Sequence, residues 1–551
     1  MKLWHERIHI MKSIWPYISD YRRKWGMLFI LKFGQVLPGL IVPFLFKLFI
    51  DKVVEQKNFR FMLVISVLYI CLYLFETVLK VGHRYLDNRL FNDITLKLRK
   101  MAWRNYLYMP FFNYKTYQIS DLSKRLTDDM DMIKFFMIGE IFDYLTYVIS
   151  LFISAVIIFL LDWRLSIILY LLLPISIHLS NKFQNQLSEL HESGRKIITK
   201  IENWLQNSLI SWKEIKANSF EKNQIHNYDI LLQEQCGNEN MKLSCMLRRN
   251  YTLDTKNLLL DQFLLFFIGG IMHFIYNSTV GTVLACIQYY NAMMDNLSKI
   301  LEINVNLEWV KPSINRAIEM LNSYQYSDNE NLEELNRAEV LYNIKHLNYS
   351  YEKNGQMVIK DLSLKINDGD KFIIKGISGR GKSTLLRILT GDLIPKDGIV
   401  LMCEKNITNI DQRLIYQKIR AIFQEPYFMN ISIGDYLRLA KAKVSDEELE
   451  SACKKACIMD FISSLPKGFN TVIGTKGGKL SGGQRQKLAL ARLFLIHNRI
   501  IFLDEAFSAI DGKDKITIIK ELLQHFDKEA VICITHDSEI AGFFDKSYTI
   551  K

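Results

Sequence analysis

The sequence is short of proline, with 9 in 551 residues, and its eight cysteines follow no zinc-type spacing. So little proline in a chain that is 49% hydrophobic excludes collagen-like repeats, disorder and a small disulfide scaffold. Cys453 and Cys457 sit at i,i+4 and read as one face of a helix rather than a metal site, and the thiols read as reduced. The N-terminus, MKLWHERIHIMKSIWPYISDYRRKW, lacks the short apolar core and small-residue cleavage site of a signal peptide, and reads as an amphipathic lead-in helix. There is no long basic block either. The net charge of +12 divides into 32 Lys+Arg against 25 Asp+Glu in residues 341–551, and 38 against 33 in residues 1–340. A spread excess argues only weakly for nucleic acid; it fits a surface near anionic lipid and, more simply, a solvated basic surface. Residues 341–551 contain no apolar run of 18 residues, whereas residues 1–340 contain several. Runs of that length cross the hydrocarbon core as helices, so a membrane part precedes a soluble one.

Six spans are expected, at roughly 26–50, 61–80, 139–161, 164–181, 257–276 and 280–300. Short connections alternate with two long polar segments, 81–138 and 182–256; residues 80–134 and 182–256 hold 11 Lys+Arg each. The positive-inside rule then places both termini and both long segments in the cytoplasm. These segments are too polar for lipid. The expectation is that the flanking helices run on beyond the membrane and turn through short helices near Phe112–Ser120 and Trp212–Ala217. A polar stretch at 322–336 reads as an interdomain linker. Among ionisable residues inside the spans, Glu76, Lys47 and Glu140 lie near predicted ends, where snorkelling or ion pairing accounts for them, whereas Lys32 and Asp143 are the better candidates to face a cavity.

The residues that carry chemistry begin at Gly376. GISGRGKST, from Gly376 through Ile377, Ser378, Gly379, Arg380, Gly381, Lys382 and Ser383 to Thr384, fits G-x-x-x-x-G-K-[ST]; it follows a strand-like run, KFIIKG, and opens a helix-like run, LLRILTG. Such a loop turns backbone N–H groups toward phosphate oxygens at a helix N-terminus. Lys382 supplies a point charge for the phosphates, and Ser383 can ligate Mg²⁺. Downstream, IIFLDE is a buried-strand pattern ending in Asp504, placed to hold the Mg²⁺, and Glu505, placed to polarise an attacking water.

LSGGQRQ, from Leu480 to Gln486, resembles the signature of the ATP-binding-cassette (ABC) proteins. The resemblance extends over most of residues 340–551. Tyr351 matches the aromatic residue that stacks on adenine, Gln424 in FQEP the Q-loop glutamine that reaches the metal, SAID the D-loop, and His536 in ITHD the switch histidine. Residues 1–320 look like the six-helix exporter-type membrane domain, more loosely, through VPFLFKLFID, SDLSKRLTDDMD and TVGTVLA. The implied fold is an all-α membrane domain over 1–325, followed by an α/β P-loop nucleotide-binding domain over 335–551. The resemblance also implies that Ser481, Gly482, Gly483 and Gln484 act in trans, on ATP held by the phosphate loop of a second chain. Every alignable catalytic position, Lys382, Gln424, Glu505 and His536, is filled, which favours a homodimer.

Three positions depart from the family pattern. TVIGT places Val472 and Thr475 where acidic residues are usual; Arg380 replaces a small residue inside the phosphate loop, with a solvent-facing side chain expected; and the chain runs 15 residues past His536, so the usual final strand and helix are expected to be missing or reduced. The expected function is ATP-driven export of amphipathic or hydrophobic cargo (peptide, drug or lipid) across the cell membrane, without nucleic acid and without a peptidase ahead of the first span. An importer on the same scaffold is one alternative. A channel or receptor gated by ATP is another, and would predict a degraded catalytic position, which Glu505 and His536 argue against.

Overall fold

The computed structural model describes residues 2–109, 119–276, 278–322, 338–351, 356–376, 380–441, 443–474, 477–537 and 539–550. They divide into two compact units, one within Met1–Leu107 and Gln118–Gln325, the other within Tyr108–Tyr117 and Tyr326–Lys551.

The first unit is helical throughout. Its lead-in helix, Lys2–Ile18, buries Ile10, Ile14 and Ile18 at four-residue spacing, the amphipathic face read from the sequence. The following helix breaks at Gln35, between Arg22–Gly34 and Val36–Leu48. Pro38 has no N–H for the Gly34 carbonyl, and its ring crowds that carbonyl. Phe59–Leu107 runs for 49 residues, roughly 70 Å at 1.5 Å per residue and more than twice the hydrocarbon core. Trp163–Ile210 (48 residues) and Val280–Asn322 (43 residues) are comparable, so the expected extension of the helices beyond a membrane is present. Among the described residues, four segments are long and apolar enough to span: Ile8–Val54, Phe59–Leu107, Ile141–Leu161 and Trp163–Ile210. The fifth expected segment is the apolar end of a helical run from Glu221 through a π-turn, Asn257–Gln262, to Tyr276. The sixth begins the helix Val280–Asn322. The short turning helix Trp212–Ala217 is present, whereas the Phe112–Ser120 turn and the 322–336 linker lie largely outside the described residues.

Two of the loosely matching membrane motifs meet in space. Asp51, ending VPFLFKLFID, accepts hydrogen bonds from Thr279 Oγ1 (2.9 Å) and Gly281 N (3.1 Å), which open TVGTVLA. The carboxylate thereby satisfies an otherwise orphaned N–H at the start of the helix Val280–Asn322. Below this cap, Ile158, Leu165, Leu169, Cys286, Tyr289, Tyr290 and Met293 form a buried core. Asp162 ends the helix Ile141–Leu161 and caps the next one, accepting from Arg164 N at 3.0 Å.

Lys32 and Asp143, the two cavity candidates, pair with each other at 2.6 Å. Their charges are compensated within the helix bundle. Glu76 pairs with Lys80 one turn on, as the ion-pair reading expects.

The second unit contains two sheets. Strands β1 (Val340–Tyr349), β2 (Ile359–Asn367), β4 (Asp397–Met402) and β5 (Lys405–Asn406) form an antiparallel sheet in the order β2-β1-β4-β5. A parallel sheet runs β6 (Ile419–Ile422), β7 (Ile500–Asp504), β8 (Ala530–Ile534), β3 (Lys371–Lys375) and β9 (Lys546–Thr549). Every residue of β7 and β8 is buried, as continuous Ile/Val/Leu-rich runs require when both faces of a parallel sheet are covered. A four-residue strand, β9, follows His536 and pairs with β3.

Candidate nucleotide site

Ligands of open parallel sheets bind outside the carboxyl ends of the strands, and the strand order here gathers the expected residues at that edge. The phosphate loop follows β3, His536 follows β8, Asp504 ends β7 with Glu505 behind it, and Gln424 follows β6. Positions 81 and 31 residues from Glu505 thereby become its hydrogen-bond partners. Gln424 Nε2 donates to Glu505 Oε2 at 2.7 Å, and His536 Nδ1 lies 3.4 Å from Oε1. Glu505 itself has φ +49°, left-handed for a residue with a Cβ. Such a conformation costs on the order of 1 kcal/mol and persists where surrounding structure imposes it, most often at functional positions. Its N–H donates to Ile534 O at 2.9 Å, which fixes it against the end of β8.

The phosphate loop closes on itself. Lys382, almost fully buried, donates to Gly376 O at 2.6 Å. Gly381 has φ +84°, and a Cβ there would lie 2.8 Å from Val358 O, so only glycine fits the turn. The helix Lys382–Leu389 begins at this point, and Thr384 Oγ1 lies 3.0 Å from Tyr351 Oη, which brings the exposed Tyr351 ring to the loop. Ile377, Ser378 and Gly379 lie outside the described residues, as does Thr475. Arg380 is exposed, as expected, and lines an open cleft of about 910 Å³ with Val358 and Tyr548.

Burial, then the neighbouring Glu505, pushes the Asp504 carboxyl up to about 6, against the opposing pull of Lys382, Arg387 and the Ser383 hydrogen bond. A buried carboxylate that resists ionisation beside a second carboxylate, with the Ser383 hydroxyl in contact and Gln424 bonded to Glu505, is a set of oxygen donors short of positive charge. This suits a hard divalent cation such as Mg²⁺.

Ser481 caps the helix Gly482–Leu493 by a reciprocal box with Gln484: Gln484 N donates to Ser481 Oγ at 3.3 Å, and Ser481 N to Gln484 Oε1 at 2.9 Å. The N–H groups of Gly482 and Gly483 open this helix, an anion-favouring arrangement. Between it, Gln424 and Ser508 lies a cleft of about 550 Å³. Gln486 is the last residue of LSGGQRQ. It is buried, and its carboxamide binds the loop after Glu505. Its place four residues after Gly482, one turn inward from the capped end, is the only signal the sequence offered.

Residues 359–508 match the ABC transporter family, and residues 25–297 match its transmembrane region. The chain belongs to the ABC transporters, with membrane region and cassette fused in one polypeptide. It is 28% identical to the multidrug resistance-like ATP-binding protein MdlA of Buchnera aphidicola subsp. Schizaphis graminum, over 98% of this chain and 92% of that one. Identity is 26% to the alpha-hemolysin translocation ATP-binding protein HlyB of Escherichia coli O157:H7, over 95% of this chain and 73% of the relative. The fold is that of a bacterial Atm1-family ABC exporter solved with ATP bound, at TM-score 0.82 and 19% identity, covering 97% of this chain and 94% of that one. The protein is therefore a membrane-bound ATPase coupled to transport, with the exporter fold read from its sequence.

Proposed function

We propose that the chain is a half-transporter. Two identical copies, each crossing the cell membrane six times with termini and nucleotide-binding domain in the cytoplasm, export amphipathic or hydrophobic cargo (peptide, drug or lipid). The observation that carries the catalytic half is Glu505, held by Gln424 and His536 beside the buried Asp504. Export is supported by the names of the relatives, a multidrug resistance-like protein and a toxin translocator.

In this reading Lys382 leaves Gly376 O to meet phosphate oxygens, while the loop's N–H groups and the helix dipole hold the rest of the charge. Tyr351 stacks on the adenine. Glu505 accepts a proton from the attacking water, with His536 and Gln424 fixing its two oxygens. Ser383, Asp504 and Gln424 would hold a Mg²⁺ ion, which when bound would supply charge neutralisation at the phosphates. Ser481 and the Gly482 and Gly483 N–H groups serve the nucleotide of the partner copy, so ATP joins two cassettes and its hydrolysis releases them. Binding that differs between the joined and separated states is what drives a two-state membrane domain.

The test is MgATP hydrolysis and vesicle transport by purified, reconstituted protein. Glu505→Gln should bind ATP normally with kcat reduced at least a hundredfold, and Lys382→Ala should lose nucleotide affinity itself. Hydrolysis at the normal rate by Glu505→Gln, or a monomer in the bilayer with full ATPase activity, would contradict the proposal.

A further inference from the structure

Gln486 lies almost wholly buried on the helix Gly482–Leu493, and its carboxamide reaches off that helix. Nε2 donates to Glu505 O at 3.3 Å and to Ser508 Oγ at 2.9 Å, and Oε1 accepts from Ala509 N at 2.8 Å. Three of the four hydrogen bonds open to a carboxamide thus go to one five-residue loop, and a buried amide left without them would carry a substantial desolvation penalty. The backbones press together at the same place. A Cβ on Gly483 would lie 2.6 Å from Ala509 O, and one on Gly482 3.4 Å from Ala509 Cβ. The loop 505–509 and the capped start of the signature helix therefore cannot move independently.

We propose that Gln486 is a positioning residue that makes the two nucleotide sites of the paired transporter turn over together. The inference rests on the head-to-tail pairing put forward above. In that pairing Glu505 serves the nucleotide on its own chain, while Ser481, Gly482 and Gly483 of the same chain serve the nucleotide on the partner. Gln486 is bonded to the backbone of the first and carried by the helix of the second. A shift of Glu505 on hydrolysis at one site is passed to the signature segment that closes the other. The Glu505 carbonyl belongs to the residue with positive φ, so the bond from Gln486 also holds the strained peptide that aims the base.

The experiment compares reconstituted full-length wild type, Gln486→Leu, Ser508→Ala and the double variant by kcat, ATP KM and Hill coefficient. Ser508 is exposed, so its truncation spares the fold. Gln486→Leu should lower kcat at least tenfold with KM within about threefold, and bring a Hill coefficient above 1 in wild type down to 1. Ser508→Ala should lose less, and the double variant should match Gln486→Leu alone, because both act through one link. Kcat losses that multiply in the double variant, or cooperativity retained in Gln486→Leu, would overturn the proposal. If Gln486→Leu fails to fold, Gln486→Glu keeps the acceptor for Ala509 N and loses the donor to Glu505 O. It should show the same split of kcat from KM, and wild-type behaviour in it would overturn the proposal. A wild type that binds but never hydrolyses MgATP would instead sink the parent reading.

Discussion

Gln424 and Glu505 stand 81 residues apart in the chain and are joined by a 2.7 Å hydrogen bond from amide to carboxylate. The bond crosses from the end of β6 to the end of β7, which are neighbours in the parallel sheet, and it leaves the other carboxylate oxygen to His536.

Exchanging that donor for an acceptor breaks the bond. In Gln424→Glu two carboxylates face each other, Glu505 loses the partner that fixes its Oε2, and kcat should fall by about tenfold or more. Gln424→Ala should raise the Mg²⁺ concentration needed for half-maximal rate. ATPase rates of both variants across a Mg²⁺ titration check both.

Asp504 gives a stability prediction whose sign follows from its raised pKa. The folded state binds this proton more tightly than the unfolded chain, so the contribution is present at low pH and is lost as pH rises from about 4 to about 6. Asp504→Asn removes the ionisation. Without nucleotide or Mg²⁺, the variant should be more stable than wild type at pH 8 by about 1 kcal/mol after solvent screening, and so unfold at a higher temperature. At pH 4 the two should coincide. Thermal unfolding of the detergent-solubilised protein at both pH values checks it.

Much of this site was legible because its residues act within short, spaced motifs: a glycine turn before Lys382, an apolar strand before Asp504, a serine cap before Gly482. Local backbone physics dictates each. What was not legible depends on which elements become neighbours. That Lys32 would be met by Asp143, or that Gly281 would sit against Asp51, follows from helix packing that no spacing in the chain encodes. Helix length was readable only as a necessity, since polar segments flanking the spans must go somewhere. Gln486 escaped because a buried glutamine one turn inside a helix has no pattern of its own.

Gly281 is closely packed where the helix Val280–Asn322 begins. A Cβ there would overlap the Asp51 carboxylate and lie 2.7 Å from Lys47 O, which is backbone and cannot swing aside. Gly281→Ala should therefore lose about 1–3 kcal/mol of stability and separate Asp51 from the helix start it caps. Gly39→Ala has open space around its new methyl and should be neutral or slightly stabilising. Thermal unfolding in detergent compares the two, and equal behaviour would contradict the close approach.

The Lys32–Asp143 pair predicts an asymmetry as well as a loss. Each charge is partly shielded from solvent, so removing one partner takes from the other its hydrogen-bonded counter-charge, at a cost of about 2–3 kcal/mol, while removing both leaves neither of the two stranded. The double variant Lys32→Met/Asp143→Asn should therefore be more stable than the sum of its single changes allows. The single changes should not be equal. Asp87, on the helix Phe59–Leu107, lies within electrostatic reach of both Lys32 and Asp143. Asp143→Asn leaves Lys32 with Asp87 as a remaining counter-charge, whereas Lys32→Met leaves the Asp143 and Asp87 carboxylates near each other and His83 without the Lys32 charge. Lys32→Met should be the more damaging, and Lys32→Met/Asp87→Asn should recover part of its loss. If the two single variants unfold at the same temperature, Asp87 does not share in the pair, and the charge balance of these three helices is set by Lys32 and Asp143 alone.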